Sequence, residues 1–158
     1  MLNAIRRFVA DLASDASQEP LDDDDRLRLA AAAILYHVIA VDGVVSDDER
    51  DALREVLREQ YGLDARGADD LFDRARAADL EAVDFYGFTS TLKQRLDDAG
   101  RRKVVELMWR MVYADGRVDE FEDNIVWRVA ELLGVPARER VLLRRATRGR
   151  ESAGGGDE

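Results

Sequence analysis

Two stretches of the chain, 73 residues apart, carry the same local instruction: Asp42-Gly43-Val44-Val45-Ser46-Asp47-Asp48-Glu49 and Asp115-Gly116-Arg117-Val118-Asp119-Glu120-Phe121-Glu122. In each, an apolar helical run ends at a Gly, which supplies a left-handed stop without steric cost. Three residues on, Ser46 or Asp119 can accept the first free amides of a new helix, and Glu49 or Glu122 closes a capping box. The agreement extends beyond the turns. Under the same shift Leu35 meets Met108, Val38 meets Met111, Ile39 meets Val112 and Val56 meets Val129. After the loss of one residue, Gly62 meets Gly134 and Ala65-Arg66 meets Ala137-Arg138. Core positions and turn chemistry that match together point to duplication. The expected fold is all-α: a compact bundle of seven to eight helices, made from two duplicated helix–acidic turn–helix units with approximate two-fold pseudo-symmetry.

Helical periodicity fills in the rest. Leu2, Ile5, Phe8, Val9 and Leu12 predict a short amphipathic helix over residues 2–13, followed by a polar stretch ending in Asp22-Asp23-Asp24-Asp25. A second helix is expected from about Arg26 to Val41, with Leu27, Ala30, Ile34, Val38 and Val41 on one face. A third follows Ser46 and buries Leu53, Val56 and Leu57. Asp64 caps a fourth, Asp84 begins a fifth, and Asp97-Asp98-Ala99-Gly100 precedes a sixth with Val104, Val105, Leu107, Met108, Met111 and Val112 as its apolar set. Gly134 closes the seventh, and Pro136 suits the first turn of an eighth. The expected organisation is an N-terminal amphipathic helix and acidic linker (1–25), a helical domain (26–148), and a disordered tail (149–158). Within the domain, repeat one covers about 26–78 and repeat two about 101–148.

Composition narrows the function classes. Hydrophobic residues at 46% and charged residues at 37%, with only two prolines, suit amphipathic helices. The absence of cysteine excludes disulfides, thiolate metal centres and cysteine nucleophiles. A net charge of −10 opposes binding to phosphate backbones, so nucleic acid is not an expected partner. No apolar run, the stretch around Ala30 to Leu35 included, approaches the roughly 20 residues that span a bilayer. Asp11 interrupts what a signal peptide would need as its apolar block, so the cytoplasm is the expected location. No Ser/His/acid set and no Gly-rich phosphate loop can be assembled, and no enzymatic activity is expected. His37, the single histidine, aligns with Arg110 of the second copy and reads as a boundary residue rather than a ligand. Trp109 and Trp127 fall near apolar stripes and read as core or boundary aromatics.

The turns themselves raise the question of a cation. An EF-hand loop has Asp-Gly, an apolar residue two positions after the Gly, and a bidentate Glu further on. Asp42-Gly43-x-Val45 with Glu49, and Asp115-Gly116-x-Val118 with Glu122, fit that second half. The first half is missing, because its acidic positions fall at Val38 and Ala40, and at Met111 and Tyr113. Ca²⁺ wants 6–8 oxygens, so one turn alone predicts weak binding, on the order of 10⁻⁴ M or poorer, unless both turns share an ion. The capping boxes explain Ser46, Glu49, Asp119 and Glu122 with no ion at all. They leave Asp42 and Asp115 unexplained, since a helix C-terminus disfavours negative charge. A divalent cation or an arginine is the expected partner of those two carboxylates.

The paired turns, the stretch Tyr113-Ala114-Asp115-Gly116-Arg117-Val118-Asp119-Glu120 and the intervening Val83-Asp84-Phe85-Tyr86 resemble the tellurite-resistance TerB-like family over about residues 26–148. The resemblance implies a compact α-bundle, bacterial and cytoplasmic, linked to stress or membrane-associated complexes. It also implies that the turn acids are metal ligands, here Asp42, Glu49, Asp115, Asp119 and Glu122; the first turn departs from the pattern at Ser46. The function expected on this basis is a non-enzymatic, stress-associated module that binds a divalent cation, Ca²⁺ or similar, and couples it to a protein partner. The alternative is a metal-free helical scaffold or adaptor whose acids serve as caps and arginine partners.

The last predicted helix stands apart in charge. Arg138, Arg140, Arg144, Arg145, Arg148 and Arg150 face only Glu139 within residues 137–150. Anchored by Val141, Leu142 and Leu143, those arginines either pair with neighbouring carboxylates or make a peripheral contact with an anionic membrane or an acidic partner.

Overall fold

A computed structural model describes residues 23–114 and 120–154 of the chain. Among them run seven α-helices and no strand: α1 (Asp23–Ala40), α2 (Asp47–Tyr61), α3 (Ala65–Glu81), α4 (Tyr86–Arg95), α5 (Asp98–Val112), α6 (Glu120–Leu132) and α7 (Ala137–Gly154). The all-α bundle is as expected. The N-terminal helix and most of the acidic linker lie outside the described residues, as do Asp115 to Asp119 in the second turn.

The local rules that set the helix ends are visible one by one. Ser46 is the N-cap of α2 in a complete capping box with Glu49. Asp64 Oδ1 accepts from Gly67 N–H at 2.7 Å at the start of α3, and Asp97 Oδ1 accepts from Gly100 N–H at 2.8 Å at the start of α5. Gly62 closes α2 at φ +62°, a left-handed conformation that a side chain would strain. Several boundaries differ from the sequence reading: α1 starts at Asp23 rather than about Arg26, and α5 at Asp98, inside the stretch expected to precede it. Asp84 is not the first helical residue of α4; its carboxylate accepts from Tyr86 N–H at 3.0 Å in an Asx turn ahead of the helix. The tail expected to be disordered from residue 149 is helical to Gly154. A single internal Gly such as Gly149 costs only about 1 kcal/mol relative to Ala, which does not end a helix.

α1 is the centre of the bundle. Ala30 to Tyr36, Val38 and Ile39 are all buried, and α2, α3, α4, α5 and α6 pack around it. A helix apolar on every side belongs inside a core. Its alanines let α3 approach closely, with Ala68, Leu71, Phe72 and Ala75 facing inward. Tyr36 meets Phe72 edge to face at 5.7 Å.

α3 packs on both α1 and α2, and α7 packs on both α5 and α6. Residues 73 apart are buried in pairs: Leu35 and Met108, Val38 and Met111, Ile39 and Val112, Leu53 and Val126, Val56 and Val129. The same holds for two carboxylates, Glu49 and Glu122.

Candidate cation site at the first turn

The first turn is built by a helix stop and a helix start with residues 41–46 between them. α1 ends at Ala40, whose carbonyl accepts from Gly43 N–H at 3.0 Å while Gly43 takes φ +84°. Asp42 is exposed, and its Oδ1 accepts from Val44 N–H at 3.0 Å. This is an Asx turn, and it corrects the expectation of a positively charged partner for that oxygen: a backbone amide holds it.

Glu49 is the unusual member. It is only 4% exposed although charged. Its Oε1 accepts from Ser46 N–H at 3.1 Å and from the Ser46 hydroxyl at 2.9 Å, while Glu49 N–H donates to Ser46 Oγ at 3.1 Å. Its Oε2 is buried with no hydrogen-bond partner. A buried acceptor left unmatched costs about 1–3 kcal/mol, more when charged. Asp47 and Asp48 lie exposed in the first turn of α2, where the helix dipole favours them.

Of the five expected ligands, Asp42, Glu49 and Glu122 are described, and Asp115 and Asp119 lie outside the described residues. Glu122 is 3% exposed and already engaged in a contact of its own. Among the described residues, no three His, Asp or Glu side chains come together as a metal cluster. An ion at the first turn therefore depends on Glu49 together with backbone oxygens and water.

Two arrangements were missed at sequence level. His37 Nδ1 lies 2.8 Å from Asp79 Oδ1, tying the end of α1 to the end of α3, with the Phe85 ring 5.3 Å from the imidazole. The partners are 42 residues apart, so no local pattern announces them. The second is the seat of α7. Arg144 Nε donates to the Tyr113 hydroxyl at 2.9 Å, pairs with Asp123 at 3.2 Å and lies over the Trp109 ring at 5.0 Å. The Tyr113 hydrogen bond, with Asp123 adding to it, raises the Arg144 pKa and keeps it cationic. Arg140 donates to the Val135 carbonyl at 2.7 Å and covers Trp127 at 5.5 Å. The pairing expected for these arginines is thus partly with a carboxylate, Asp123, and partly with ring faces and carbonyls, while Glu139 of the same helix pairs with Arg102 of α5.

The groove between α2 and α3 has charged walls, but they pair among themselves. Arg54 lies 2.9 Å from Asp69 and 3.6 Å from Asp51, and Arg58 lies 3.9 Å from Glu55.

The family model described as tellurite resistance protein TerB matches residues 28–145. The chain belongs to the TerB family. The match spans every helix from α1 to most of α7, and so covers both acidic turns. A crystal structure of a protein of unknown function from Porphyromonas gingivalis W83 shares the TerB-family bundle seen here, with a TM-score of 0.57. The superposition covers 82% of this chain and 99% of that one at 14% identity, a likeness of fold alone. No curated protein matches the chain. Among the described residues of this TerB-family chain, no helix is long and apolar enough to cross a membrane.

Proposed function

We propose that this TerB-family domain is a non-catalytic binding module whose first acidic turn takes up a divalent cation, with Glu49 as anchoring ligand, and transmits that occupancy to a protein partner. The observation that carries the reading is Glu49 Oε2, a carboxylate oxygen buried beside the turn without a donor. A hard cation such as Ca²⁺, which draws oxygen ligands, removes the cost of that unmatched charge. Asp42, Asp47 and Asp48, exposed in the same turn, add negative potential around it rather than a cluster of ligands. Carbonyls and waters complete the shell, which keeps affinity on the order of 10⁻⁴ M or poorer. Asp115, Asp119 and Glu122 provide the corresponding set in the second turn. Val44, 70% exposed in the first turn, gives a partner an apolar contact beside the ion.

Thermal melts test this. With Ca²⁺ or Mn²⁺ at ten times Kd, the native state should gain about 1.4 kcal/mol over the chelated protein. Glu49→Gln keeps the capping geometry, because Gln also serves at that position of a capping box. It should fold normally and lose the ion-induced rise. A rise that survives in Glu49→Gln, or none in the parent at millimolar ion, overturns the reading.

A metal-free scaffold is the second reading, and the same turn favours it in one respect: Asp42 Oδ1 and Glu49 Oε1 are already satisfied by the chain. It expects Asp42→Asn to change stability while no variant, and not the parent either, responds to ions.

A further inference from the structure

α7 has the largest positive excess of the seven helices, with six arginines against Glu139 and Glu151 in its sequence. Arg140 and Arg144 lie on Trp127 and Trp109. Arg138 and Arg145 are exposed, and no carboxylate among the described residues pairs with either. Residues 138, 141, 142 and 145 recur at helical spacing, so the exposed Val141 and Leu142 lie between those two arginines on one outward stripe. Other exposed large hydrophobics stand among acids instead. Val44 lies between Asp42 and Asp47, Leu80 and Val83 beside Glu81 and Asp84 at the α3–α4 link, and Phe121 between Glu120 and Glu122. An acidic segment with apolar residues is repelled at those places and attracted at α7.

The chain itself contains such a segment. From Phe8 to Asp25 it has no Lys or Arg, and Asp11, Asp15 and Glu19 follow at intervals of four with Leu12, Ala13 and Ala16 among them. These residues lie outside the described ones, but their point of attachment is fixed, because the segment leads into Asp23, where α1 begins. α1 begins at the end of the bundle where α2 and α5 finish: Arg28 lies over the Tyr61 ring at 5.4 Å, and Arg110 is 3.3 Å from Glu59. α7 passes that same end, where Arg144 Nε donates to the Tyr113 hydroxyl at 2.9 Å, and Arg145 is the next residue. α5 packs on both α1 and α7, so two interhelical spacings of about 8–10 Å each separate the start of α1 from the stripe. Ten extended residues reach about 33 Å, which is ample.

We infer that residues 11–22 lie across the outward stripe of α7 in the same molecule, with their carboxylates against Arg138 and Arg145 and their apolar residues over Val141 and Leu142. The inference is independent of the cation reading. Two ion pairs and a small apolar area make a contact too weak to hold separate molecules together. Attachment to α1 raises the effective concentration of the segment to the order of millimolar, and the contact is then populated within one chain. Its ionic part is screened by salt. The segment acts as a cover: the basic face of α7 is closed to an anionic partner until that partner displaces the chain's own acids.

The chain has no cysteine, so Ser17→Cys gives a single attachment point for a nitroxide spin label in the full-length protein. In roughly 50 mM salt the label should broaden the amide signals of residues 138–146 in ¹H–¹⁵N spectra, and the broadening should fade in roughly 500 mM salt. Adding the charge reversal Asp11→Lys/Asp15→Lys/Glu19→Lys should abolish it. Combining that reversal with Arg138→Glu/Arg145→Glu should restore it, because opposite charges again face each other. Unchanged signals from the core of α1, Ile34 among them, confirm that each variant is folded. No broadening along α7 in low salt overturns the inference. So does broadening that survives the acidic reversal, or that the double reversal fails to restore. Spin-labelled ¹⁴N protein mixed with unlabelled ¹⁵N protein should leave the α7 signals sharp; broadening there assigns the stripe to a second copy and overturns the inference. Binding of the parent to phosphatidylserine vesicles through Arg138 and Arg145, with no broadening from the label, assigns the stripe to lipid and equally overturns it.

Discussion

α3 and α7 occupy corresponding places in the two halves, yet they are held in different ways. α3 turns Ala68, Leu71, Phe72 and Ala75 into the core, with the His37–Asp79 and Arg54–Asp69 pairs and the Arg54 guanidinium over Phe72 at its margins. α7 packs Leu143 against the core and buries Thr147, which donates to its own Leu143 carbonyl, and Arg140 and Arg144 lie across Trp127 and Trp109. Apolar burial is non-directional and indifferent to salt; guanidinium contacts are directional and partly screened. α3 thus draws more on apolar burial, and α7 more on guanidinium contacts.

That contrast can be broken by mutation, and the largest effect is expected at α3. Phe72→Ala removes a buried ring and leaves a cavity under Tyr36, at an expected cost of about 3–5 kcal/mol in urea unfolding. Arg144→Ala should cost less, about 1–2 kcal/mol, by removing a ring contact, a hydrogen bond and a partly exposed ion pair. Lys at that position restores only part of the loss, since it cannot make the planar stacked contact. Tryptophan fluorescence should shift in Arg144→Ala and not in Phe72→Ala. If Arg144→Ala unfolds with the parent while α7 amides exchange no faster than those of α3, the two seats are equivalent and the contrast fails.

The smallest effect belongs to Tyr61, over which Arg28 lies at 5.4 Å. Burial pushes the Tyr61 phenol above its usual range, and Arg28 opposes the shift. A pKa raised in the folded state means stability that is full below the unfolded value, about 10, and is lost as pH rises through the folded one. Tyr61→Phe should leave the neutral Tm nearly unchanged and flatten the decline above about pH 10. A slope identical to the parent's would show that the phenol does not control it.

How much of this was readable in advance follows from the range of each interaction. Caps are local, so Ser46 with Glu49 and Asp64 were legible from spacing, whereas Asp97 stood only within a stretch expected to precede its helix. The Asx turn at Asp42 was equally local, and Asp-Gly is its signal; the dipole argument drew attention to distant charges when a backbone amide two residues away was the answer. The central place of α1 was half legible. Five positions were assigned to one face, whereas the unbroken apolar run from Ala30 to Tyr36 leaves no polar side to turn outward. His37 with Asp79, and the arginines over the tryptophans, bring together residues from different helices, which no single-helix pattern encodes. For the candidate ion site the residue types were visible, but the buried, donorless Oε2 of Glu49 belongs to three-dimensional packing.

A helix enclosed on every side has a consequence for how such a domain can change. Substitutions in α1 reach five neighbours at once, so they register as gains or losses of folded protein rather than as altered affinity. New errands have to be written on the periphery, in the turns, the α3–α4 link and the outward stripe of α7. The core then acts as a fixed spindle, around which the surface can be re-lettered without redrawing the bundle.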